Sequence, residues 1–108
     1  MPQTLYFGVN DDGRLVGAVT VRHGLDRRNR YDGHVGFGVR PSERRKGYAK
    51  AMLALALERL EEMGIRDVLL TCAAGNTGSE RTMLACGAVY ERTVRHHGER
   101  IKLFWVHR

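Results

Sequence analysis

The sequence predicts a mixed α/β fold in the order β-β-β-α-β-α-β-β, arranged as one domain over residues 1–108. Three observations carry this reading. Short β-branched and aromatic runs open and close the chain, one long amphipathic helical pattern fills its middle, and an apolar strand follows that helix at the distance a crossover needs. A hydrophobic fraction of 43% with only two prolines suits one compact core.

Leu5 to Val9 and Leu15 to Arg22 form the first two strands, and Asn10-Asp11-Asp12-Gly13 between them has the residues of a hairpin turn. A polar stretch from Gly24 to Asn29 leads to a third strand, His34-Val35-Gly36-Phe37-Gly38-Val39, in which large and small residues alternate. Glycine weakens a strand, so two on one face point either to a bulge or close approach by another molecule, or to a simple packing need. Pro41 ends this strand, and Ser42-Glu43 opens a helix or the turn leading into it. Ala49, Met52, Leu53, Ala56, Leu60 and Met63 recur at helical spacing until Gly64 stops the pattern. Asp67 to Cys72 is a short buried strand. The crossover rule therefore expects Val35-Val39 and Val68-Thr71 to lie parallel and adjacent in one mixed sheet. A shorter helix runs from after Asn76 to Gly87, and Ala88 to Arg95 and Ile101 to His107 form a last hairpin around His97-Gly98.

Eighteen lysines and arginines against 12 acidic residues leave a net charge of +6, which suits an anionic partner. Cys72 and Cys86 are too far apart for a CxxC pair, and two cysteines do not complete a zinc site, so the expectation is reduced thiols and no metal. No apolar run approaches the roughly 20 residues that span a bilayer. A cytoplasmic protein without a membrane partner is expected.

The turn before the long helix, Arg44-Arg45-Lys46-Gly47-Tyr48-Ala49, gathers cations and small residues where backbone N–H groups and the helix dipole favour an anion. It is neither a Walker loop nor a dinucleotide fingerprint. A basic helix start without a ligand is the alternative reading of these six residues.

Beyond those six residues the chain resembles the GNAT N-acetyltransferase superfamily. The pyrophosphate loop of that family reads Arg/Gln-x-x-Gly-x-Gly/Ala, matched by Arg44, Gly47 and Ala49, and the stretch GHVGFGVRPSERRKGYA from Gly33 to Ala49 is similar to its fourth strand and loop in order and spacing. Asn76, Ser79 and Gly87 fit the next helix, and Val21-Arg22-His23 is similar to a segment found in a bacterial branch of predicted acetyltransferases. The resemblance implies a GNAT-like fold with acetyl-CoA as cofactor and an amine as acceptor. Phe37, Gly38 and Val39 would pair with the pantetheine arm through their backbones. The amides of Arg45, Gly47, Tyr48 and Ala49 would hold the pyrophosphate, with charge from Arg44 and Lys46. Asn76 and Ser79 would stand near the cofactor.

For chemistry, the amide of Val39 is the candidate oxyanion donor and His34 the candidate general base, with His23 as competitor. Many relatives carry a tyrosine seven residues after the position of Asn76 as general acid. Here that position is Met83, and Tyr90, solvent or the substrate are left. The resemblance also places Met1 near the second strand of the family, which implies an open acceptor pocket and a possible homodimer. Two other readings stand beside an acetyl-CoA-dependent N-acetyltransferase. One is a catalytically weak or inactive acetyl-CoA-binding module. The other is a small nucleic-acid-binding domain using Arg27-Arg28-Asn29-Arg30, for which no aromatic platform or recognition helix is evident.

Overall fold

A computed structural model describes residues 3–26, 30–44 and 46–108. Strands β1 (Gln3–Val9), β2 (Leu15–Arg22) and β3 (Val35–Val39) form one antiparallel sheet in that order. A 3-10 turn at Pro41–Glu43 leads into helix α1 (Tyr48–Glu62). Strand β4 (Asp67–Ala73), helix α2 (Thr77–Ala85) and strands β5 (Val89–His96) and β6 (Glu99–His107) follow. The last three strands form a second antiparallel sheet in the order β4-β6-β5.

Local chemistry sets most of these boundaries. Asn10 Oδ1 accepts from the N–H groups of Asp12 and Arg14, both at 3.0 Å, which closes the first hairpin. His97 and Gly98 both take positive φ, 50° and 79°, as a two-residue hairpin between right-twisted strands requires. Both helices end in paired C-terminal bonds. Gly64 N–H donates to Glu61 O and Ile65 N–H to Leu60 O, and Gly87 and Ala88 repeat the pattern on Leu84 and Met83. The buried stripe of α1 is Met52, Leu53, Ala56, Leu57 and Leu60; Leu57 joins the expected set, while Met63 at the helix end is exposed. One core spans both sheets, with Val19, Val21 and Val35 from the first, Val68, Leu70 and Phe104 from the second, and α1 between them. Among the described residues no helix is long and apolar enough to cross a membrane.

The expected pairing of Val35-Val39 with Val68-Thr71 in one mixed sheet is corrected by the structure. Among the described residues no ladder joins β3 to β4. Among the described residues the backbone of the two sheets is bonded at one pair: His34 N–H donates to Leu69 O at 2.8 Å, and Leu69 N–H donates to His34 Nδ1 at 2.9 Å. Leu69 thus has both edge groups satisfied by a single residue, one of them by a side chain. In a parallel ladder the Leu69 N–H would go to the carbonyl two residues before His34, so the imidazole stands in for one peptide group ahead of β3, and from Val35 onward no ladder joins the two strands among the described residues. Gly33 permits the approach, since a Cβ there would lie 2.7 Å from Leu69 O.

Candidate functional site

The parting of β3 from β4 leaves an unpaired strand edge, and the sequence decides which peptides occupy it. Arg22 N–H donates to His34 O and Arg40 N–H donates to Val16 O, both at 2.7 Å, so between these two bonds Gly36 and Gly38 direct their peptide groups at β2. By the alternation of an antiparallel ladder, Val35, Phe37 and Val39 turn theirs to the free edge. Arg44 Nε–H reaches Val39 O there, at 3.3 Å.

This edge is one wall of a cleft of about 600 Å³. The other walls are Glu43 and Arg44 with the start of α1 from Gly47 to Lys50, and the first turn and a half of α2. Two helix N-termini therefore face the same space. They differ in how they are finished. Gly47, at φ 85°, precedes α1 with no side chain to cap it, so the first amides of the helix keep their donors unspent. Asn76 caps α2, its Oδ1 accepting from Ser79 N–H at 3.2 Å. An anion in the cleft meets both dipoles at their positive ends, beside amides that point outward.

Most of the residues proposed from sequence come together here. Phe37, Gly38, Val39, Arg44, Gly47, Tyr48, Ala49, Asn76 and Ser79 all line the cleft. Gly38 lines it as a residue without a side chain, its peptide groups being directed at β2. Ser79 has its amide taken by Asn76, which leaves the hydroxyl. Lys46 Nζ stands 2.9 Å from Glu43 Oε2 beside the cleft. Arg45 lies outside the described residues, as do Arg27, Arg28 and Asn29 of the basic loop.

His34 is set apart from this group. It is 7% exposed and does not line the cleft. Its Nδ1 accepts the Leu69 N–H, so the neutral ring carries its proton on Nε2, and burial holds the imidazole below its ordinary value. His23 Nε2 is 2.8 Å from Thr4 Oγ1 on the first sheet. Met83 is buried in the core. Tyr90 is half exposed on β5, its hydroxyl 2.8 Å from Thr93 Oγ1, and it too is absent from the cleft lining.

Sequence reasoning missed Glu43, which lines the cleft at only 5% exposure. A carboxylate three residues before Lys46 was the available signal, but the cover over it was not.

Residues 1–88 match the sequence family described as the acetyltransferase (GNAT) family. The chain belongs to the GNAT acetyltransferase family. No curated protein sequence matches it. Among solved structures, the GNAT chain is similar to a ribosomal-protein-S5-alanine acetyltransferase from Vibrio fischeri, with TM-score 0.81 at 15% identity over 97% of this chain and 61% of that one. It is similar to a spermidine N-acetyltransferase from Vibrio cholerae in complex with CoA and spermine, with TM-score 0.77 at 16% identity over 97% and 65% of the two chains. A Salmonella typhimurium protein solved with its cofactor acetyl-CoA gives TM-score 0.75 at 14% identity over 89% and 60%. At these identities the likeness is one of fold. The chain spans about 65% of the length of the spermidine acetyltransferase.

Proposed function

We propose that this GNAT domain binds acetyl-CoA in the cleft between β3, α1 and α2 and transfers the acetyl group to an amine. The observation that carries the proposal is the convergence of two helix N-termini, one of them uncapped, on a cleft that also holds a free strand edge. The helix starts suit a pyrophosphate, and the edge peptides of Phe37 and Val39 suit the amides of a pantetheine arm. Two acetyltransferases of the same fold, solved with CoA or acetyl-CoA, support the choice of cofactor.

In the reaction a neutral amine attacks the thioester carbonyl. The C–N bond forms, the C–S bond breaks, the amine loses a proton and the thiolate departs. Val39 N–H, turned to the free edge, is our candidate donor to the developing oxyanion. With Nδ1 of His34 committed to Leu69, we assign His34 to holding the two sheets together and leave proton transfer to the acceptor amine and solvent. We place the reaction in the cytoplasm, where Cys72 and Cys86 stay as the free thiols seen here.

A binding module without turnover is the second reading. It is favoured by the buried position of Met83 and by the cleft lining: among the described residues there, the only carboxylate is the ion-paired Glu43. Isothermal titration with acetyl-CoA, followed by thiol release over amines that include spermine and an alanine-terminated peptide, separates the two. Binding with turnover is expected; binding without turnover for any amine establishes the second reading, and no binding removes both.

We also propose that a second copy covers the outer face of β1. Leu5, Phe7 and Val9 are 54%, 63% and 59% exposed on one face of an edge strand that carries no charged residue. Two chains of net charge +6 meet there without opposing like charges.

A further inference from the structure

Among the described residues, Glu43 is the one carboxylate that lines the cleft proposed for acetyl-CoA, and its side chain is only 6% exposed. A buried carboxylate beside a polyphosphate seat repels the ligand, so its presence there needs a compensating role. Its contacts supply one. Oε2 accepts from Lys46 Nζ at 2.9 Å, across the three-residue span that holds the anion-binding turn, and Oε1 lies 3.9 Å from Arg14 Nε in the first hairpin. The carboxylate therefore links Lys46, at the entry to α1, with Arg14 of the first hairpin.

We propose that Glu43 is a positioning residue of the cofactor site: it holds Lys46, the residue before Gly47, so that the amides that open α1 are ordered before the pyrophosphate arrives. The inference rests on the acetyl-CoA reading above. The same contacts hold Glu43 ionised, since the Lys46 hydrogen bond, followed by the charges of Lys46, Arg14 and Arg40, depresses its carboxyl against the opposing effect of burial. Lys46 is raised in turn by the hydrogen bond and charge of Glu43.

Two roles predict opposite signs. If Glu43 acts only by its charge, Glu43→Gln removes a repulsion and acetyl-CoA binds more tightly. If it positions the turn, the same change weakens binding. We expect Glu43→Gln to raise the Kd for acetyl-CoA about tenfold, the scale of one charge-assisted hydrogen bond. The Kd for acetylpantetheine, which has no phosphate, should stay unchanged by NMR titration. Glu43→Gln and Lys46→Met should also be strongly non-additive, the double variant binding as well as Lys46→Met alone. Glu43→Asp keeps the charge but shortens the reach, and it should weaken acetyl-CoA binding to a similar degree; it carries the test if the Gln variant does not melt cooperatively. Unchanged or tighter binding in these variants, an equal loss for acetylpantetheine, or additive effects would overturn the proposal while leaving the cofactor reading intact. A wild-type chain that does not bind acetyl-CoA removes that reading and the positioning role with it.

Discussion

Replacing His34 with leucine keeps much of the buried volume and removes the acceptor for Leu69 N–H. The His34 backbone bond to Leu69 O is untouched, so the change isolates the imidazole. A buried N–H left without a partner costs about 1–3 kcal/mol. For a chain of 108 residues, a loss near 2 kcal/mol lowers Tm by roughly 10 °C. His34→Asn should recover most of this, because Asn Oδ1 stands where Nδ1 stands and accepts the same bond. The pH dependence separates the two further. Burial lowers the folded-state pKa of His34 from its ordinary 6.5. Below that ordinary value the unfolded chain takes up a proton that the folded chain refuses. The stabilisation is thus complete above pH 6.5 and is lost as pH falls toward the folded pKa. Wild-type thermal melts across pH 5–8 should show this slope, and the Asn variant should lack that contribution. A His34→Leu chain that melts with the wild type but loses acetyl transfer by about a hundredfold or more refutes this assignment and restores His34 as the general base.

Further outcomes follow from the cleft and its surroundings. A Cβ on Gly17 would strike the Gly38 carbonyl and come within 3.1 Å of Val39 Cα, so Gly17→Ala should destabilise the fold by about 1–3 kcal/mol and weaken acetyl-CoA binding, measured by melting and calorimetry. Gly38→Ala meets nothing within 4 Å and should leave Tm unchanged or slightly raised, while reducing acetyl-CoA affinity; unchanged affinity would show that the cofactor does not approach this residue. Asn76→Ala removes the cap of α2 and should cost about 1 kcal/mol by denaturant melt. In light scattering, Phe7→Glu should convert a concentration-dependent dimer to a monomer, and a wild-type chain that is monomeric at every concentration removes the proposed second copy.

The parts of the fold that were legible in the sequence are those fixed within a few residues. Asn10 closes its hairpin through its own side chain, and His97-Gly98 takes the two positive φ values its turn needs. Each helix stops at the glycine that ends its apolar pattern. The uncapped start of α1 was legible for the same reason, since Gly47 and the residues after it set where the helix begins. What was not legible depends on contacts across long stretches of chain. The crossover rule favours adjacent parallel strands here, but beyond the contact of His34 with Leu69, 35 residues away, no ladder joins them among the described residues. Glu43 reads as a solvated charge until the turn and the first hairpin are seen to cover it.

These two misses have a common consequence for the site. If β3 had continued its ladder along β4, the peptides of Phe37 and Val39 would be spent within the sheet, and α1 and α2 would begin above a closed surface. Among the described residues the hydrogen bonds between the strands stop at His34 and Leu69, and those peptides stay at the free edge beside the cleft on which both helix starts converge. Glu43 then ties down the turn at the far side of that opening. We therefore expect His34 and Glu43 to influence the geometry of the cleft, neither of them on the expected path of the thioester. Substitutions at both should act on cofactor affinity through geometry, with losses that a change of salt does not restore, whereas losing the cation of Lys46 should flatten the salt dependence of binding.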